Sequence, residues 1–423
     1  MGCVNAWRAT FPWNAATCAP PSSMHGVLRC ASWTKPISTG RFSNADEAGM
    51  GVIPAEKDTL LNRLRRWERG ETPGPWCISV FPTNRCNIHC VMCWQRYFEN
   101  DTRNELSGER LLRLVDEAAA LGCRDWIIQG GGEPLMRAAL VMQMCEHIRR
   151  HGMNGRLVTN ATLLKPSHIQ TLIEIGWDNL TVSIDGASAE VHDAIRGKGT
   201  FRKTTSATSR CAEMRREMNS PWPRIQISTT LMRHNYSDLP GIVELAHRLG
   251  CDSILADLTC LSFGRDNLIT QEQRQELPGL VEQAVRRGRE LNIETDFDHL
   301  TISPWAATFL REPWRASEPP PRMFDHVWCY APWYAMSVFA NGGVAPCTMD
   351  WNRTAPNLEN ASLKEIWEGP YFARARDRMF LEQSLDCCDK CPVLFSGHTL
   401  SLRLMDDAYA LAETAKCPVQ TGA

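Results

Sequence analysis

Apolar positions along the chain fall into two alternating rhythms. From residue 76 onward, short runs of apolar residues are each followed by a longer segment in which apolar residues recur every three to four positions. The short runs, at 76–81, 126–129, 155–159, 179–184, 224–231 and 253–258, predict strands. The longer segments predict helices at 106–121, 138–151, 166–175, 188–195 with 203–218, 239–249 and 271–290. Ser107 can cap a shorter first helix and Gly122 stops it. Alternation of this kind argues for an α/β fold, with a parallel sheet and outer helices. Six strand–helix units suit a partial (β/α)6 barrel of the TIM type, in which function collects at the C-terminal ends of the strands.

The flanks follow other patterns. Residues 1–55 are rich in Pro, Ser, Ala, Thr and Gly and hold no sustained period; they read as a disordered tail or an over-extended start, with translation beginning at Met24 or Met50. A helix at 55–69 carries Leu60, Leu61, Leu64 and Trp67 on one face and is stopped by Gly70 and Pro73. Past 292 the rhythm is lost. A Pro- and Trp-rich link at 304–321 leads to a hairpin at 334–339 and 344–347 around Asn341-Gly342-Gly343, then to a helix at 363–380 interrupted near Gly369-Pro370. The expected division is 1–55 extension, 56–298 barrel, 299–405 small C-terminal domain and 406–423 tail.

Composition narrows the class. With 43% apolar and 22% charged residues and a net charge of −2, the 423-residue chain offers no basic surface for nucleic acid or an anionic membrane. No run of about 18 apolar residues predicts a membrane span, and Arg8, Pro12 and Asn14 break any secretory signal. Eighteen cysteines in a chain of this length, several spaced two or three apart, suit metal ligation in a reducing cytoplasm better than a disulfide framework.

The chemistry gathers where the strands end. Cys86, Cys90 and Cys93 form a C-x3-C-x2-C loop after the first strand. Three thiolates can hold three irons of a 4Fe–4S cube and leave one iron open. A zinc site with His89 as fourth ligand is the alternative on spacing alone. This loop resembles the signature of the radical S-adenosylmethionine (radical SAM) superfamily. The resemblance implies that the open iron chelates S-adenosylmethionine. One electron then cleaves it to a 5′-deoxyadenosyl radical, which abstracts hydrogen from the substrate. An external donor of the flavodoxin or ferredoxin type supplies that electron.

Further positions match the family. Gly130-Gly131-Gly132-Glu133-Pro134 resembles the element that contacts the methionine amino group, which implies cofactor roles for Gly131, Gly132 and Glu133. Ser183, in Val182-Ser183-Ile184-Asp185-Gly186, resembles the serine that reaches the ribose or methionine part. Arg196, in 195–201, resembles the arginine that pairs with the methionine carboxylate. Thr159-Asn160 and Asn235 match polar positions of relatives. Met92 departs from the pattern, since relatives often place there an aromatic residue that stacks on adenine; Trp94 follows the motif.

A second cysteine set resembles the SPASM/twitch extensions of the same superfamily. Cys329, Gly342 and Cys347 fit its opening, and Cys388-x2-Cys391 adds two more thiols. Together they imply one auxiliary 4Fe–4S cluster, the twitch-like form, because position 397 is Gly and only Cys417 remains downstream; Cys387 is an alternative to Cys388. Asp257 and Cys260, at or just past the sixth strand, are candidate base and hydrogen donor. Cys77, Cys123, Cys145, Cys211 and Cys251 read as small buried hydrophobes. Relatives with such extensions modify either small carbohydrates of the aminocyclitol type in antibiotic pathways or ribosomally made peptides. Residues 1–55 lack the alternating strands of a peptide-binding module, which favours the small-molecule substrate. A non-catalytic iron–sulfur electron carrier is the reading from another class.

Overall fold

Helix α1 (Leu60–Glu68) leads into β1 (Cys77–Val80), and the strand–helix alternation then runs as the hydrophobic pattern predicts. The computed structural model describes residues 58, 60–96, 101–259, 264–297, 300, 329–350 and 355–380. All of them belong to one compact unit that starts at Glu56. The strands that follow are β2 (Asp125–Ile128), β3 (Asn154–Thr159), β4 (Asn179–Ser183), β5 (Arg224–Leu231), β6 (Ser253–Leu258) and β7 (Glu294–Asp296). The helices between them are α2 (Gly108–Ala120), α3 (Ala138–Arg150), α4 (Pro166–Glu174), α5 (Ala189–Arg196), α6 (Thr200–Glu217), α7 (Leu239–Leu249) and α8 (Gln271–Leu291). Two more strands, β8 (Ala335–Val338) and β9 (Val344–Ala345), complete an open α/β sheet in the order β7-β6-β5-β4-β3-β2-β1-β8-β9.

Side chains alternate across this sheet. Ile78, Val80, Trp126, Ile128, Leu180, Val182, Ile225, Ile227 and Ile254 are at most 1% exposed and pack with apolar residues of the helices, such as Leu114, Met144, Leu172 and Val243. The opposite face is largely polar. Its register rows run Ser79–Ile127–Arg156–Asn179, then Thr181–Gln226–Ser253, then Ser183–Ser228–Leu255–Asp296, and last Thr230–Asp257. A packed TIM barrel fills its interior with branched apolar residues. Here the inner face is left half-buried and hydrogen-bonding, as a substrate cavity requires.

The structure adds two features to the sequence reading. Strand β7 is three residues of a polar sequence at the sheet edge, too short to show a period. Strand β8 pairs in parallel with β1, Cys77 opposite Ala335 and Val80 opposite Val338, while β9 pairs with it antiparallel. The hairpin read as part of the small domain thus extends the barrel sheet across the expected 298/299 boundary. Helix α6 also starts earlier than its apolar pattern does. The Asp193 carboxylate accepts from the backbone N–H groups of Gly199 (2.6 Å) and Phe201 (2.7 Å), and so caps it from the preceding helix.

Helix α1 is docked on the C-terminal helices, Leu363–Glu368 and Pro370–Phe380. The guanidinium of Arg376 lies over the rings of Trp67 (4.4 Å) and Trp367 (4.5 Å) and donates to the carbonyls of Pro332 (3.0 Å) and Trp367 (3.1 Å). Burial pulls its pKa down to about 10. Trp67 donates to Trp333 O and Trp367 to Pro73 O, so this knot joins segments about 300 residues apart. Arg376→Ala removes cation–π contacts to Trp67, Trp367 and Phe372 and the donors to two carbonyls. It is expected to lower stability by about 2–3 kcal/mol, read from the midpoint of urea unfolding.

Candidate active site

The cysteine loop leaves the C-terminal end of β1 and is clamped from three sides. Glu105 holds its first turn by accepting from Thr83 Oγ1 (2.6 Å) and Asn84 N (2.8 Å). The glycine run after β2 lies directly against it: Gly132 N donates to Thr83 O (2.9 Å) and Glu133 N to Arg85 O (2.9 Å). Gln95, just past the third cysteine, donates to Asn84 O (2.5 Å) and Gly131 O (2.6 Å). On the third side Val91 N donates to Ile195 O (2.9 Å).

The glycines face the loop at close range, Gly131 its Asn84 side chain and Gly132 its backbone. A Cβ on Gly131 would lie 2.0 Å from Asn84 Oδ1, and one on Gly132 would lie 2.0 Å from Arg85 O. The close approach they permit is therefore first of all to the protein's own chain. Gly132→Ala is expected to displace the loop. The variant should incorporate markedly less iron during anaerobic reconstitution while keeping a wild-type far-UV circular dichroism spectrum; full iron content would show that the loop tolerates the shift.

Glu133 is 2% exposed. Its carboxylate accepts from Thr159 Oγ1 (2.6 Å), Asn160 N (2.8 Å) and Leu135 N (3.0 Å). Burial pushes its pKa up, and these three bonds oppose the shift. The polar pair at the end of β3 thus acts through Glu133, and Asn160 Nδ2 also donates to Asn87 Oδ1 in the cysteine loop (3.1 Å).

Arg196 and Asp185 form a buried pair. Arg196 Nε donates to Asp185 Oδ2 (2.5 Å), and Arg196 Nη1 lies 3.9 Å from Cys90 Sγ. Asp185, with no exposed surface, also accepts from Thr230 N (2.8 Å), and Asn235 Nδ2 donates to its carbonyl (2.8 Å). Burial alone would lower the Arg196 pKa; the Asp185 charge and the nearby cysteine sulfurs outweigh it and raise the pKa.

Cys90 is buried, and Cys86 and Cys93 are half-buried. Burial pushes all three thiols up, Cys90 to about 11, with the Arg196 charge opposing at Cys90 and Cys93. They therefore stay protonated until a metal takes the proton's place. Among the described residues, the only trio of His, Cys or acidic ligand atoms lying within 4.8 Å of one another is Asp116–His147–His151. The sulfurs of Cys86, Cys90 and Cys93 do not all lie within 4.8 Å of one another, whereas the thiolates of one tetrahedral zinc stand about 3.8 Å apart. Met92, 8% exposed, packs with Cys90, Ile195 and Met232 in an apolar lining behind the loop.

Other expected positions are placed as follows. Ser183 is half-buried at the end of β4, in register with Ser228, and Asp257 stands opposite Thr230 in the last row of the polar face. Cys123, Cys145, Cys211 and Cys251 are buried. Cys329 and Cys347 both pack on the cluster of Leu64, Tyr330, Trp333 and Met379. Burial pushes the Tyr334 pKa up, and the negative charge that Cys329, Cys77 and Cys347 can carry nearby adds to the shift. Cys260, Cys387, Cys388 and Cys391 lie outside the described residues. Asp185, Gln95 and Glu105 were not singled out from the sequence, because each acts on a partner that only folding brings near. A cleft of about 480 Å³ lined by Arg215, Arg224, His247 and Asp252 lies at the N-terminal ends of β5 and β6, away from all these groups.

A barrel with a three-cysteine loop at one strand end and polar anchors at the next three defines a class. The sequence matches the radical SAM superfamily over residues 80–246 and the SPASM iron–sulfur cluster-binding domain over 329–392. The chain belongs to the radical SAM superfamily of enzymes and carries a SPASM domain, and its cofactors are S-adenosylmethionine and 4Fe–4S clusters. It is 34% identical over 180 residues to the AdoMet-dependent heme synthase of Methanosarcina barkeri, covering 42% of this chain and 49% of that protein, so it spans about half the length of that relative. It is 25% identical over 335 residues to the PqqA peptide cyclase of Ruegeria pomeroyi, covering 77% of this chain and 82% of that protein. The crystal structure of Streptococcus suis SuiB bound to precursor peptide SuiA shares the fold, with a TM-score of 0.58 at 16% identity over 74% of this chain and 69% of that one. No helix of the described residues is long and apolar enough to cross a membrane.

Proposed function

We propose that this chain is a radical SAM enzyme that modifies a ribosomally made peptide. The observation that carries this reading is the likeness to a peptide cyclase over 335 residues, more than the barrel alone can supply. It replaces the small-carbohydrate substrate favoured from the sequence, which rested only on the lack of alternating strands in residues 1–55. The barrel at 56–298 and the auxiliary-cluster domain at 299–405 are the working parts; 1–55 and 406–423 flank them.

Cys86, Cys90 and Cys93 would ligate three irons of the first cluster. When bound, this cluster supplies the electron that splits S-adenosylmethionine into methionine and a 5′-deoxyadenosyl radical. The chain's own residues orient the cofactor. An ionised carboxylate has about four lone-pair sites. Three of those on Glu133 are taken, which leaves one for the methionine ammonium, with Gly131 and Gly132 beside it. Arg196 spends Nε on Asp185 and keeps further N–H donors for the methionine carboxylate. Ser183 offers its hydroxyl to the ribose or methionine part. The polar rows of β5 and β6, Gln226, Ser228 and Thr230 with Asp257, would meet peptide amides, and Asp257 or Cys260 would exchange a proton or hydrogen. Cys329, Cys347, Cys388 and Cys391 would hold one auxiliary cluster, and a flavodoxin or ferredoxin in the cytoplasm would supply electrons.

The reading is tested by anaerobic reconstitution with S-adenosylmethionine and dithionite. 5′-Deoxyadenosine should form, and a precursor peptide encoded beside the gene should change mass. Failure to form 5′-deoxyadenosine overturns the radical activity. Consumption of an aminocyclitol or an iron porphyrin, with the peptide unchanged, overturns the peptide substrate. Iron should approach about eight atoms per chain, and about four would remove the auxiliary cluster.

A further inference from the structure

Two helices on the outside of the barrel carry a second group of ligating side chains. His147 lies in the last turn of α3 and His151 caps its C-terminal end, four residues on, so the two share a helix face. That face is turned toward Asp116 on α2. His147 Nε2 is 2.7 Å from Asp116 Oδ1, and His151 Nε2 is 2.8 Å from the same oxygen. The rings meet edge to face with centroids 5.2 Å apart. An ionised carboxylate can only accept, so both rings donate through Nε2–H. Each ring thus aims the same nitrogen at one point, and the three ligand atoms lie within 4.8 Å of one another.

We propose that Asp116, His147 and His151 form a binding site for a divalent transition-metal ion, zinc foremost. Two imidazole nitrogens and one carboxylate oxygen are a donor set that zinc accepts, with water in the remaining position; Cu²⁺ and Ni²⁺ suit the same set. On binding, each ring would carry its proton on Nδ1 and give the Nε2 lone pair to the metal, any second proton passing to solvent. The side chains of His147, His151 and Asp116 are 23%, 36% and 54% exposed, so an ion can reach them from solvent. Helix α3 follows β2 and returns to the start of β3, which puts its C-terminal end at the opposite end of the sheet from the cysteine loop. The bound ion would staple α2 to α3 there, beside an interface otherwise made by residues such as Leu114, Val115, Val141 and Met144. This site is independent of the peptide reading.

The test uses untagged, cluster-reconstituted protein dialysed anaerobically against Zn²⁺, with zinc and iron counted by mass spectrometry. Wild type should retain one zinc per chain more than H147Q/H151Q, and Asp116→Asn should bind that zinc at least about tenfold more weakly. Zinc should raise the unfolding temperature of wild type but not of the double variant, and both should cleave S-adenosylmethionine at the same rate. Comparing the two proteins subtracts zinc held by spare cysteines. Equal zinc in both, or no zinc in wild type, overturns the proposal and leaves the trio as two histidines hydrogen-bonded to one carboxylate.

Discussion

Cys90→Ala should give a folded chain that holds about half the wild-type iron and forms no detectable 5′-deoxyadenosine. Cys90 is the most deeply buried thiol of its loop and the one nearest Arg196. Its removal leaves two thiols on the loop, too few to hold three irons of a cube. The packing loss should be small, about 1 kcal/mol, because one sulfur is removed from a lining of Met92, Ile195 and Met232 that can close around the gap. Cys347→Ala should behave differently: iron again falls by about half, yet S-adenosylmethionine is still cleaved, because the loss is at the auxiliary site. Iron analysis and chromatography of the nucleoside products separate the two variants. Wild-type product formation by Cys90→Ala would overturn the ligand assignment.

The second large effect is on stability. Asp185→Ala should destabilise the fold by about 3–5 kcal/mol, since it strands the buried Arg196 charge and removes the acceptor for Thr230 N. Asp185→Asn keeps the shape and one acceptor oxygen, so it should unfold at a denaturant concentration between those of wild type and the alanine variant. Both should also weaken S-adenosylmethionine binding, measured by equilibrium dialysis, because Asp185 is what holds Arg196 in place. A wild-type unfolding midpoint for Asp185→Ala would show that the pair contributes nothing to the fold.

Which parts were legible in the chain follows from how local their causes are. Strands β5 and β6 and helix α7 match their sequence-read bounds; β5 alternates strictly over eight residues, and α7 repeats its apolar positions until Gly250 closes it. Cys86, Cys90 and Cys93 were legible because a loop of eight residues contains all three. Two of the donors to Glu133, from Thr159 and Asn160, were visible only as polar residues at the end of another strand. Asp185 and Arg196 stand 11 residues apart, across a strand exit and a helix, and no spacing rule links them.

The sequence by itself determined the strand–helix alternation, the cysteine loop and the glycine run, because hydrophobic period and ligand spacing are properties of short stretches. Tertiary structure decided what those stretches meet. It set the glycines against the cysteine loop, turned a row of strand-end polar residues into anchors for Glu133 and Arg196, and joined β8 to β1. It also brought α1 against helices some 300 residues away, and His147 and His151 onto Asp116. The physical reason is common to all of these: backbone approach, buried charge pairing and sheet order are contacts between distant segments. Their free energy exists only once the apolar face of the sheet has been covered.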